Sequence, residues 1–325
     1  MMEKSNPRIR WDKSTYLHTS DMIKLAIRLA YRNPTFAVFS VLASLPLFLI
    51  MLTHELAIHC IFADASSRLR LVSSYSSQRL HIASGLIQET LVKFLQASLL
   101  YSVPALLLNL LTAVTTVHSS STIFAEGRSA CLLDMLKDSI NKTRWKWPLI
   151  TSTLVSFYSL VSWVCIVSWG GIGSFFASGK ALHLSIWGLI SVVAMAKWLE
   201  YRAVWDVAIV LSISEDKGVF EALSTASSIT KGSRIRGCVL MLLNFTWWFG
   251  PAVLGFYVRR RCSAQSTYAV AVAVAEAGLV CAGKVVKWVV CVVYCHDCKR
   301  RSSRGKVVLE GGEGEHALLL RTVSS

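Results

Sequence analysis

Four stretches of the chain are apolar on every side for the length a helix needs to cross hydrocarbon, about 20 residues with a range of about 17 to 25. They are Thr35 to Leu52, Pro148 to Gly170, Gly237 to Tyr257 and Tyr268 to Tyr294. Two more, Leu95 to Val117 and Ala181 to Trp198, carry Gln96, Pro104, Asn109 and His183 but otherwise have the same character. Three other segments are apolar on one side only. From Ser20 to Arg32, Met22, Ile23, Ala26, Ile27 and Ala30 recur at helical spacing while Lys24, Arg28 and Arg32 stand four residues apart. This is a basic amphipathic helix, with Ser20 as its cap. It ends at Asn33, because the residue before Pro34 is pushed out of the helical region. Leu132, Leu133, Leu136 and Ile140 predict a second such helix, and Val219, Ala222, Leu223, Ala226 and Ile229 a third. For the third, Ser214 is the expected cap, Glu215 and Asp216 suit the positive end, and Gly232 suits a left-handed C-terminal residue.

The expected fold class is therefore all-α, a polytopic transmembrane helical bundle of about six spans with amphipathic surface helices. Residues 1–34 form a basic cytoplasmic segment, 35–298 the membrane domain, and 299–325 a disordered cytoplasmic tail rich in glycine and polar residues. The serine-rich connection Thr53 to Lys93 reads as a loop on the opposite face, with a short amphipathic helix at Leu86 to Leu95.

Composition supports the membrane reading. Hydrophobic residues make up 54% and charged residues 16%, whereas about a quarter of an ordinary soluble domain is charged. The net charge of +15 raises nucleic acid as a partner, but the cations are interleaved with uncharged spans rather than gathered on one polar domain. The lipid bilayer with its anionic headgroups is the partner they fit, and nucleic acid is not. Alternate connections hold 24 Lys+Arg on one side and 8 on the other, which places both termini in the cytoplasm. The first apolar run follows a basic segment and no small-residue cleavage site comes after it, so it reads as a signal anchor. Trp147, Trp169, Trp198 and Trp288 fall near span ends, as an interfacial belt would. On this topology neither sequon, Asn141 or Asn244, is glycosylated. Of nine cysteines, Cys165, Cys238 and Cys281 lie inside apolar spans and no disulfide framework is apparent.

Candidate chemistry is sparse. His54 and His59 are five apart, about 140° round a helix, so they do not form the shared face of a zinc-protease helix. Cys295, His296 and Cys298, one turn after Cys291, lack the further ligands of a structural zinc site. Beside Lys299, Arg300 and Arg301, Cys295 and Cys298 suit palmitoylation instead, against ordinary free thiols. Arg300-Arg301-Ser302-Ser303 has the form of a basophilic kinase site. Glu276, Lys284 and Lys287 lie in the last span, where ionisable residues are functional suspects. The lysines can snorkel to the surface. Glu276 is left to line a polar cavity with Asn109 and His183, or to be partly buried near the outer interface. Ala269, Ala273, Ala277, Gly278 and Ala282 form a small-residue stripe for close helix packing, within the chain or in a homo-oligomer. No Walker loop, nucleophile elbow or paired-carboxylate arrangement occurs, and no cofactor is implied.

Four blocks carry a resemblance: Leu45 to His59, Leu110 to Ala125, Ser214 to Gly232 and Trp288 to Arg301. In this order they resemble a family of plant multi-spanning membrane proteins of unknown function. The third is also similar to a repeated element in the membrane domain accompanying some bacterial glycerophosphodiester phosphodiesterases. The resemblance implies architecture without phosphodiesterase activity. The leading expectation is a non-enzymatic membrane-organising or trafficking-related protein acting through lipids and other membrane proteins. A transporter or channel with a polar site near Glu276 is the alternative, and an intramembrane lipid enzyme comes third.

Overall fold

The computed structural model describes residues 18–73, 79–126, 145–176, 181–261 and 267–323. Eight helices and no strands occur among them. They are α1 (Thr19–Arg32), α2 (Pro34–Ser73), α3 (Arg79–Glu126), α4 (Lys146–Phe176), α5 (Ala181–Ser214), α6 (Val219–Thr230), α7 (Arg234–Arg261) and α8 (Thr267–Val323). Five segments are long and apolar enough to cross a membrane: Pro34–Leu69, Gly85–Ile123, Lys146–Ile166, Arg234–Gly255 and Val270–Ser303. The expected span Ala181 to Trp198 lies on α5, whose described side chains begin at Ser185 and soon reach Lys197, Glu200, Arg202 and Asp206. The surface helix expected near Leu132 to Ile140, and Asn141 with it, lies outside the described residues.

The chain divides into two packed units. One holds α2, α3 up to Thr116, α7 from Asn244 and α8 up to Lys287. Its dominant feature is the hairpin of α2 and α3. Thr112 Oγ1 lies 3.5 Å from the Ala43 carbonyl, the His54 ring meets Tyr101 at 5.4 Å, Phe62 meets Phe94 at 6.0 Å, and Arg68 pairs with Glu89 at 3.6 Å. The α2 partner advances as the α3 partner recedes, so the helices are antiparallel and run side by side from Ala43 to Arg68 on α2 and from Thr112 to Glu89 on α3, about 35–38 Å at about 1.5 Å per residue. The expected loop from Thr53 to Lys93 is thus mostly helix. Local pairs support it: Asp64 with Arg68 at 3.0 Å and Glu89 with Lys93 at 2.7 Å, each four residues apart. The same logic applies at the other end of the chain, where α8 runs on to Val323 through the glycine-rich segment expected to be disordered. Extending an existing helix needs no new nucleus, so unfavourable composition alone does not stop it.

In this unit two of the buried hydroxyls of α3 are satisfied within the helix itself. Thr112 and Thr115 return their Oγ1 protons to the carbonyls of Leu108 and Leu111 at 2.9 Å, satisfying each donor within its own helix. The small-residue stripe on α8 is only partly used: Ala273 and Ala277 are buried, whereas a Cβ added at Gly278 would meet nothing within 4 Å and Ala282 is exposed. The close approach falls at Gly283 instead, against the Trp247 indole of α7, which donates to the Leu279 carbonyl at 3.0 Å.

The other unit holds α1, α3 from Val117, α4, α5, α6, α7 up to Leu243 and α8 from Trp288. Helix α5 packs on α4 and α6, and α4 touches α6. Trp163 stacks on Trp198 at 5.7 Å and Tyr158 lies against Trp205 at 6.4 Å. Helix α1 buries Thr19, Met22, Ala26 and Leu29, so Met22 and Ala26 of the expected face are buried, Ile23 and Ala30 are half-buried, and Ile27 is exposed. His18 rather than Ser20 is its N-cap, with no side-chain bond.

Candidate functional site

Of the expected intramembrane polar group, Glu276 and Asn109 fall in one packed unit and His183 in the other. Glu276 is 6% exposed on α8, and Asn109 is half-buried on α3 in the same unit, but no hydrogen bond joins the two. His183 sits in the first turn of α5 in the other unit, with its side chain outside the described residues. Lys284 does not snorkel to the surface; its Nζ points at Met51 Sδ of α2, 3.7 Å away, with Cys281 Sγ 4.0 Å from the same sulfur.

Polar groups concentrate instead at a corner of the other unit, where α5 ends, α6 lies across and α7 begins, all beside α8. Local backbone sets the corner. Ser214 is the last residue of α5 rather than the cap of α6, and the chain turns at Asp216, whose φ is 53°. Aspartate tolerates that left-handed conformation better than most residues. Gly218 is the N-cap of α6, and a Cβ added there would lie 3.9 Å from the Trp147 ring. The buried stripe of α6 is Val219, Ala222, Ala226 and Thr230, with Leu223 and Ile229 half-buried. Gly232 adopts no left-handed φ; a tight turn closed by Ser233 N–H donating to the Thr230 carbonyl, at 2.9 Å, leads straight into α7.

Four side-chain groups tie this corner together. First, Ser233 Oγ lies 3.2 Å from Tyr294 Oη and 3.0 Å from Cys298 Sγ, and Tyr294 Oη donates to the Ser233 carbonyl at 3.0 Å. All three residues are buried. Second, Glu215 accepts from Lys299 of α8 and pairs with Lys217 at 3.0 Å. Burial pushes the Glu215 carboxyl up, but these two ammonium donors outweigh it and hold the group below its ordinary value of 4.5. Third, Glu200 takes Lys197 at 2.8 Å and Arg234 at 2.9 Å. The bond from Lys197, opposed by burial and helped by Arg234, holds this carboxyl low as well. Fourth, Asp297 pairs with Arg301 at 2.8 Å and Arg236 at 3.9 Å. Deeper on α5, Asp206 is 0% exposed and pairs with Arg202 at 3.5 Å.

Most of these residues were not singled out by the sequence, because their partners are distant along it: 84 residues separate Glu215 from Lys299 and 61 separate Ser233 from Tyr294. Asp206 had a signal, since it is an acid inside a long apolar run. As chemistry, the Ser233, Tyr294 and Cys298 group offers a hydroxyl, a phenol and a thiol, but no imidazole or carboxylate is hydrogen-bonded to any of them. Without a base the hydroxyl is a weak nucleophile, and the arrangement is suited to holding the turn between α6 and α7 against α8. Palmitoylation of Cys295 and Cys298 meets an obstacle: the thiols are 2% and 0% exposed, and Cys298 is spent on Ser233. Among the described residues no cluster of three or more His, Cys, Asp or Glu could hold a metal ion.

Over residues 13–304 the chain matches the family described as Domain of unknown function (DUF8558). The chain belongs to that family. The matched region takes in all five apolar spans and the whole polar corner. No curated protein and no solved structure matches.

Proposed function

We propose that this is a membrane-organising protein, non-enzymatic and trafficking-related, that works through contacts with anionic lipid and with membrane proteins. In this reading α5 supplies a sixth span at Ala181 to Trp198, both termini face the cytoplasm, and the polar corner lies at the cytoplasmic surface. The observation that carries it is the outer side of α1. With Met22, Ala26 and Leu29 buried in protein, Lys24, Ile27, Arg28 and Tyr31 remain exposed, Tyr31 at 89%. At 100° per residue these four fall within a sector of about 100°. An aromatic ring and an aliphatic chain flanked by cations is the composition of a helix lying in the headgroup region. Each cation near an anionic surface contributes about 1 kcal/mol.

The test is hydrogen–deuterium exchange of the full chain in nanodiscs of phosphatidylcholine, with and without phosphatidylserine. Amides of Thr19–Arg32 should slow by roughly tenfold or more when the anionic lipid is present. The change should vanish in a Lys24→Glu, Arg28→Glu, Arg32→Glu variant. Equal exchange in both lipids would rule out lipid recognition by α1.

A transporter or channel remains the second reading because Glu276, a carboxylate within a span, is buried. In that case Glu276→Gln abolishes a proteoliposome flux or a growth phenotype while leaving the fold intact. An unchanged flux would remove the basis for this reading.

A further inference from the structure

Exposure rises along α8 towards Ser303: Cys291 to Cys295 and Cys298 are buried, residues 299–302 are half-buried, and Ser303 is exposed. Two arginines precede it at three and two residues, Arg300 and Arg301, the spacing that arginine-directed kinases read through charge. Its hydroxyl donates to the Lys299 carbonyl at 3.1 Å, so it lies over the turn that carries Lys299. Residues four apart on a helix are surface neighbours. Lys299 is the cation that joins α8 to Glu215, at the break between α5 and α6.

We infer that Ser303 is a phosphorylation site for an arginine-directed kinase, and that its phosphate draws Lys299 off Glu215 and unlatches the corner between α5 and α6. This rests on the cytoplasmic placement of that end of α8. In the transfer, Ser303 Oγ bonds to the γ-phosphorus of ATP, the bond from that phosphorus to ADP breaks, and the hydroxyl proton passes to the kinase's base. The product carries a charge of about −1.5 to −2 at neutral pH and three acceptor oxygens. Glu215 offers a single charge to the same ammonium and is already shared with Lys217. The doubly charged neighbour on the same helix therefore wins Lys299, with Arg300 helping to hold the phosphate on that turn. Glu215 then keeps only Lys217, a residue of its own segment, and the link to α8 is lost.

The experiment treats the full chain in nanodiscs, where both faces are open, with ATP and the catalytic subunit of an arginine-directed kinase. Mass spectrometry should place the phosphate on Ser303, with none there in Ser303→Ala. Exchange at the amides of Glu215 to Phe220 should rise about threefold, the effect of losing one partly exposed ion pair. Lys299→Ala should start at the raised rate and not respond further. An unmodified Ser303, or a phosphorylated one with the corner's exchange unchanged, would overturn the proposal. Sealed vesicles with the cytoplasmic face outward should incorporate phosphate without detergent. Labelling only after permeabilisation would overturn the placement of α8, and with it the site's access to ATP, whatever the nanodiscs show.

Discussion

Gly237→Ala is expected to be the most damaging single methyl group that can be added to the described part of this protein. A Cβ at residue 237 would lie 2.8 Å from Tyr294 Oη, 2.9 Å from Ala203 Cβ and 3.2 Å from Tyr294 Cζ. Neither neighbour can yield cheaply. Ala203 Cβ moves only with its backbone, and Tyr294 is buried and bound to Ser233. Overpacking of this kind costs about 1–3 kcal/mol, and displacing the phenol from the Ser233 carbonyl adds about 1 kcal/mol. A loss of about 3 kcal/mol should appear as a fall of roughly 5–10 °C in the melting temperature of the detergent-solubilised chain. Gly283→Ala brings a nominally closer contact, 2.3 Å to Trp247 Cδ1. It should nevertheless be milder, because that indole is half-exposed and can swing outward at the loss of one hydrogen bond, about 1 kcal/mol. Gly188→Ala on α5 meets nothing within 4 Å and should be neutral or gain up to about 1 kcal/mol in helix propensity.

Arg202→Met is expected to come second. Asp206 is wholly buried, with Arg202 three-quarters buried beside it. Removing one member of such a pair leaves a charge in a medium that solvates it poorly, typically at about 3–5 kcal/mol, whereas replacing both with apolar residues is often neutral. The double variant Arg202→Met, Asp206→Leu should therefore recover most of what Arg202→Met alone loses. A thermal-unfolding double-mutant cycle reads this directly. If the double variant were no more stable than Arg202→Met, the buried charge would not be the cause.

Both effects arise from contacts that the order of residues conceals. The spans are legible because an all-round apolar run of the right length has few other uses, and the faces of α1 and α6 because Met22, Ala26, Val219, Ala222 and Ala226 keep helical spacing. Caps are less legible. Ser20 and Ser214 have the right chemistry, but where each helix starts depends on the turn before it, and at α6 that turn is set by the φ of Asp216. The α2–α3 hairpin is hidden because serine and mixed charge resemble a loop until Asp64, Arg68, Glu89 and Lys93 are seen pairing along and across two helices. The stripe of alanine and glycine on α8 predicts close packing, yet which glycine is used depends on where Trp247 arrives. The polar corner is hidden most completely. No local pattern links Ser233 to Tyr294 or Glu215 to Lys299, so Glu215, which reads only as a helix-start residue, becomes a link to α8.

Everything proposed about function depends on which way the chain is threaded, and Cys60 reports on that most directly. It is an exposed thiol on α2, beyond the first 20 residues of that helix, which at 1.5 Å per residue already span the roughly 30 Å of hydrocarbon. In a variant whose other cysteines are serine, held in sealed vesicles with the cytoplasmic face outward, a membrane-impermeant maleimide should leave Cys60 unlabelled until the vesicles are permeabilised, and then label it. Labelling of Cys60 in the intact vesicles would contradict the threading and remove the cytoplasmic placement of α1, the polar corner and Ser303 together.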